Sequence, residues 1–194
     1  MGIYALAAAA IRTDVQIYAF EPNPHAYARL RVNKFRNGFA NIVESNIAVG
    51  HERGVVDFSW FTRASGQIAS GGSIGAFPER SDLERTVVRM EPLDKILGVR
   101  DLGERGLVKI DVEGAEMAVF EGMKETLKKH RPDIIVETFN QQHVDFINER
   151  ILPLGYRVWT VDETTGLHAT DGIQLQAREK EGNYLLSVRD APVV

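Results

Sequence analysis

The chain has 194 residues, 44% hydrophobic and 26% charged, and 23 Lys and Arg stand against 27 Asp and Glu for a net charge of −4. That length suits one domain, and that balance argues against a disordered chain, a membrane-spanning protein, or a field that draws nucleic acid or anionic lipid. Cysteine is absent, which excludes disulfides, thiolate nucleophiles and Cys-ligated metals and makes the cytoplasm the expected compartment.

Gly2 to Ile11 is rich in Ala and Leu and apolar nearly all round, the pattern of a helix buried against a sheet and far short of a membrane span. Val15 to Phe20 reads as a buried strand that stops at Glu21-Pro22-Asn23-Pro24. Asn23 is a good N-cap and Pro24 suits a first helical position, so a helix is predicted from there to Asn37, with Asn37-Gly38 as its exit. Asn41 to Val49 reads as a strand, and Val55 to Phe61 alternates with Val56, Phe58 and Trp60 on one face. Residues 64–75 are the Gly/Ser-rich stretch and are expected to form a lid loop.

Thr86 to Met90 and Gly106 to Asp111 read as strands, with a helical turn at Leu93 to Leu97 between them. Ala115 to Lys129 carries apolar residues at Ala115, Val119, Met123 and Leu127, the recurrence of an amphipathic helix that Arg131-Pro132 ends. Asp133 to Thr138 is the next strand and Val144 to Leu152 the next helix. Tyr156 to Val161 and Asn183 to Val188 then look like two arms of a hairpin around a polar insert. Strands alternating with helices, followed by two strands with none between them, predict a single α/β domain whose sheet is mostly parallel with an antiparallel edge.

In such sheets ligands bind at the carboxyl ends of strands, so polar residues there are the candidates. Glu21 ends a strand, where a carboxylate can accept both hydrogen bonds of a ribose diol with Pro22 as a flat apolar surface beside it; equally, it starts a turn. Asn46 can pair with the edge of a base or serve as a turn residue, and the second reading is preferred. Lys109 and Asp111 share one face of a buried strand, where an unpaired ammonium is costly. Lys109 therefore either pairs with Asp111 or Glu137 as structural glue or points at a site, and the site reading is preferred. His143 can reach the same strand edge as a base, although a solvated helix position is the expected one. His25, His51, His130, His143 and His168 form no two-His metal spacing, and no nucleophile elbow, phosphate-cradling loop or dinucleotide glycine fingerprint is present.

The strings Ala19-Phe20-Glu21-Pro22-Asn23-Pro24, Leu107-Val108-Lys109-Ile110-Asp111-Val112-Glu113-Gly114-Ala115-Glu116 and Arg131-Pro132-Asp133-Ile134-Ile135-Val136-Glu137 resemble the FkbM family of S-adenosylmethionine-dependent methyltransferases over about residues 1–160. The resemblance implies the class I methyltransferase fold, a Rossmann-like sheet with an antiparallel last strand. It also implies methyl transfer to a hydroxyl oxygen of a sugar, polyketide or other small molecule, with S-adenosyl-L-methionine as cofactor and no metal. Glu21 resembles the family's ribose-binding acid, Asn46 the residue by the adenine, and Asp111 the residue beside the methionine part. Lys109, Asp111 and Glu137 are the catalytic candidates. Gly2 resembles the last glycine of the family's first motif, Asp-x-Gly-x-Asn-x-Gly, so the chain is expected to lack the first strand and most of the cofactor loop. Marginal stability, weak cofactor binding and self-association through unpaired sheet edges are the corresponding expectations. A non-catalytic remnant and a nicotinamide-dependent oxidoreductase are the alternatives, the second disfavoured by the missing glycine fingerprint. The expected partner is a small-molecule or glycan hydroxyl acceptor, with no nucleic acid and no membrane.

Overall fold

The computed structural model describes residues 2–62, 68–74, 83–98, 102–103, 106–138, 140–162, 164–175 and 182–190, with the backbone alone at 62 and 68–71. Two compact units divide the chain, Met1–Glu91 and Pro92–Val194. Among the described residues no helix is long and apolar enough to cross a membrane.

In the first unit, α1 (Ile3–Ile11) begins behind Gly2, whose φ of 74° is left-handed and where a Cβ would lie 2.3 Å from Leu30 Cδ1. Glycine answers both demands. The expectation that α1 is buried is corrected: Ala9 alone is fully covered, while Ile3 and Ile11 are 71% and 79% exposed. A helix that is apolar all round has more surface than the one flank of β1 (Ile17–Phe20) and β2 (Ile42–Ser45) beside it can cover. Between those strands runs α2 (Pro24–Asn37). Asn23 Oδ1 accepts from the N–H groups of His25 and Ala26 at 3.0 and 3.2 Å, Pro24 occupies the first turn, and Gly38 closes the helix at φ 69°. β1 and β2 pair in parallel from Ile17↔Ile42 to Phe20↔Ser45 over a core containing Leu30 and Ile42.

The strand expected over 41–49 is broken. After β2 the chain leaves its partner, and β3 (Ala48–Val49) pairs with β6 (Leu83–Glu91) instead. β6 also pairs antiparallel with β4 (Gly54–Thr62), and β4 with β5 (Ile68–Ile74), in the order β3-β6-β4-β5. Ala48, Phe58, Trp60, Val88 and Met90 form the core of this sheet. Within the expected loop, residues 68–74 are therefore a strand; residues 64–67 and 75 lie outside the described residues. A Cβ at Gly72 would stand 2.5 Å from Phe58 Cζ, so a glycine that reads as loop composition is room for an aromatic ring on the neighbouring strand.

The second unit holds α3 (Leu93–Leu97), β7 (Leu107–Ile110), α4 (Glu116–Glu121), α5 (Lys124–His130), β8 (Asp133–Thr138), α6 (Gln141–Phe146), β9 (Arg157–Asp162), β10 (Gly166–Thr170) and β11 (Gly182–Ser187). The helix expected over 115–129 is interrupted at Gly122 and Met123. Asp94 of α3 caps its second half, accepting from the N–H groups of Glu125 and Thr126 at 2.9 and 2.8 Å and from the Thr126 hydroxyl at 2.7 Å. α6 starts earlier than expected because Asn140 Oδ1 accepts from the Gln142 N–H at 2.8 Å; past Phe146 it widens into a π-helical turn over Ile147–Ile151. The sheet order is β10-β9-β11-β8-β7, so the hairpin expected from β9 and β11 exists and β10, in the polar insert, adds an outer strand.

The sheets are mixed, which corrects the mostly parallel expectation. Three of the eight strand pairings are parallel (β1–β2, β3–β6, β7–β8), and the other five are antiparallel, among the described residues. The difference comes from β5 and β10, whose Gly-rich and polar compositions hide them, and from the β4–β6 pairing, which needs no crossover helix.

Candidate functional site

At the carboxyl end of β7, strand alternation places Lys109 and Asp111 on one face. β7 and β8 are parallel with Lys109↔Ile135 and Ile110↔Val136 as partners, so Glu137, two residues beyond Ile135, points the same way as Lys109. On the far side of β8, Asn183 of β11 is the direct antiparallel partner of Glu137. Three strands thus deliver four polar side chains to one face. The Lys109 Nζ donates to Asn183 Oδ1 at 3.1 Å and lies 3.7 Å from Asp111 Oδ2 and 3.9 Å from Glu137 Oε2. The Lys109 and Glu137 side chains are 16% and 13% exposed, and that of Asp111 32%. One ammonium among two carboxylates and an amide oxygen is a charge-assisted cluster with an excess of negative charge, suited to holding a cation or a hydroxyl and to accepting a proton.

The turn after β7 is tied down from behind. Glu113 and Gly114 both have positive φ, 50° and 101°. The Gly114 N–H donates to Glu116 Oε1 at 3.1 Å. Glu116, in the first turn of α4, is 2% exposed, and its Oε2 lies 2.7 Å from Nδ1 of His143 on α6, itself 6% exposed. The solvated position expected for His143 is corrected: it is buried against a carboxylate, because the first turn of α6 packs on α4. Sequence reading also missed roles for Glu116 and Asn183. Glu116 was detectable, since it precedes Val119, Phe120 and Met123 on the same buried helical stripe, where a carboxylate demands partners.

In the first unit, Glu21 follows β1, its N–H continuing the ladder to Ser45 O at 3.1 Å. Glu21 Oε1 accepts from the Asn23 N–H at 3.0 Å, so the carboxylate helps shape the turn that leads into α2. Asn46 Nδ2 donates to the carbonyls of Glu21 and Pro22 at 2.7 and 3.0 Å. The turn role preferred for Asn46 is thus occupied by its amide nitrogen, which fixes the backbone on which Glu21 and Pro22 stand. Nearby, Lys34 Nζ lies 2.5 Å from Glu44 Oε2; burial pushes the Glu44 carboxyl up, but the hydrogen bond from Lys34, a backbone hydrogen bond and the charges of Lys34 and Arg31 outweigh it and hold its pKa below the usual range.

The profile of the methyltransferase FkbM domain matches residues 3–158. No curated protein matches the sequence. A crystal structure of methyltransferase FkbM from Methylobacillus flagellatus KT is similar, with a TM-score of 0.55 and 14% identity, over 88% of this chain and 36% of that one. The chain therefore spans about a third of that protein's length, and at this identity the likeness concerns the α/β fold.

Proposed function

The chain belongs to the FkbM methyltransferase family, and from that premise we propose that it transfers a methyl group from S-adenosylmethionine to a hydroxyl oxygen of a sugar, polyketide or similar small molecule. The family match across residues 3–158 carries this reading, and the Lys109 cluster supports a hydroxyl acceptor. When bound, S-adenosylmethionine supplies an electrophilic methyl on a sulfonium. The residues present suit its parts. Glu21 offers a half-buried carboxylate on a rigid turn for a ribose diol. In the second unit, Asp111 offers a partly exposed carboxylate beside β7 for the amino group of the methionine part.

Glu137 is the proton acceptor for the hydroxyl, as the less exposed carboxylate of the cluster. Lys109 holds Glu137 and Asp111 on one face, and its ammonium offsets the charge they concentrate there. Asn183 fixes the ammonium from the opposite strand. Positioning of this kind supplies most of the acceleration in a displacement at methyl, with proton removal adding to it. Release of S-adenosylhomocysteine, followed over a panel of sugars and polyketide alcohols and a matching panel of amines, tests the reading. Turnover with alcohols is expected, and turnover confined to amines would overturn the acceptor class.

A further inference from the structure

We propose that His143 and Glu116 are positioning residues, a buried pair that clamps the Asp111–Gly114 turn and so fixes where Asp111 is presented. The inference rests on the reading of Asp111 as a methyl-donor residue.

Consecutive positive φ values at Glu113 and Gly114 make this turn a conformation that an unrestrained chain leaves, since a non-glycine residue there costs about 1 kcal/mol or more. A side-chain contact on this turn is the Gly114 N–H to Glu116 Oε1 bond, 3.1 Å long. Glu116 in turn cannot swing away. Its other oxygen is 2.7 Å from His143 Nδ1, a close buried contact, and has no hydrogen-bond partner among the described residues. One turn along, Phe120 of α4 packs on Phe146 of α6 with ring centroids 6.2 Å apart, so the helices carrying the pair are locked side by side. The chain of contact runs from α6 through His143 and Glu116 to Gly114, three residues past Asp111.

A buried carboxylate–imidazole pair is a poor stabilising device, because two apolar side chains in the place of buried polar partners are often as stable or more so. What an apolar pair cannot supply is an acceptor for the Gly114 N–H. That difference separates a positioning role from a structural one. The double variant Glu116→Leu/His143→Leu keeps the helix contact apolar and removes the acceptor, whereas His143→Asn keeps a donor near the place of Nδ1.

The test measures three things on the whole chain: thermal unfolding, hydrogen exchange of the Gly114 amide, and calorimetric affinity for S-adenosylhomocysteine. The double variant is expected to stay folded, exchange Gly114 faster and bind about tenfold more weakly, and His143→Asn to recover most of both losses. If the double variant does not fold, Glu116→Gln and His143→Asn are compared by the same readouts, with Gly114 exchange and affinity expected to move together. Unchanged Gly114 exchange, or faster exchange with wild-type affinity, overturns the proposal. Wild-type binding is measured before any variant is compared, and its absence even at the highest soluble concentration of S-adenosylhomocysteine refutes the methyl-donor reading. Gly114 exchange then decides the clamp alone, faster exchange upholding it and unchanged exchange overturning it.

Discussion

Replacing Lys109 by methionine keeps the stem of the side chain and removes its charge. In the folded protein that charge sits 3.7 Å from one carboxylate and 3.9 Å from another. At an effective dielectric of about 20, each attraction is worth about 4 kcal/mol before desolvation is subtracted. The Asp111 side chain is 32% exposed, so water replaces much of what it loses, whereas Glu137 at 13% has less water to replace the lost attraction. Breaking a buried pair costs about 3–5 kcal/mol, and the partial exposure here brings the expected loss to about 2 kcal/mol. Adding Glu137→Gln removes the charge that Lys109 offset, so the double variant is expected to regain most of that stability. Activity separates the two roles open to Lys109. As members of the site, Lys109 and Glu137 are both needed, so Lys109→Met and the double variant should each lower methyl transfer by at least about tenfold. Thermal unfolding and S-adenosylhomocysteine release, measured on the same samples, are the assays. A double variant with restored stability and near-wild-type transfer would rule out a site role and leave Lys109 as glue between strands.

Glu21→Ala should weaken S-adenosylhomocysteine binding by about 1–3 kcal/mol through lost charged hydrogen bonds, measured by calorimetry. The melting temperature should fall only slightly, because one part-buried hydrogen bond, from the Asn23 N–H, is lost from the turn; unchanged affinity with a large drop in stability would make Glu21 only a turn residue. Tyr156 carries a buried hydroxyl with no hydrogen-bond partner among the described residues, and burial pushes its pKa up to about 12. The unfolded phenol ionises near its ordinary value of about 10, so this contribution to stability is full below pH 10 and is lost as pH rises toward 12. Tyr156→Phe should therefore cost little or stabilise at pH 7 and flatten the alkaline limb by about 2 kcal/mol relative to wild type, read from denaturant unfolding between pH 9 and about 12.

What the sequence made legible follows from interactions that are local. Asn23, Pro24 and Gly38 mark the two ends of α2 because caps act within one turn. Lys109, Asp111 and Glu137 fall on one face because strand alternation has a period of two, and they meet in the folded chain. The features that stayed hidden depend on distant partners. The break between α4 and α5 is imposed by Asp94, a residue on another helix. β5 is a strand because Gly72 makes room for Phe58, which only the β4–β5 register reveals. Asn183 enters the cluster through antiparallel pairing with Glu137, and His143 is buried because α6 packs on α4. Helix periodicity alone places His143 near a strand end without saying which way it faces.

Every role proposed for Glu21 and Asp111 depends on S-adenosylmethionine being the methyl donor. Titration of the whole chain with S-adenosylhomocysteine and, separately, with a nicotinamide dinucleotide by isothermal calorimetry tests it most directly. Saturable binding of S-adenosylhomocysteine, weakened by Glu21→Ala and by Asp111→Asn, with no saturable heat from the dinucleotide, is the predicted result. Saturable binding of the dinucleotide with none for S-adenosylhomocysteine would contradict the account.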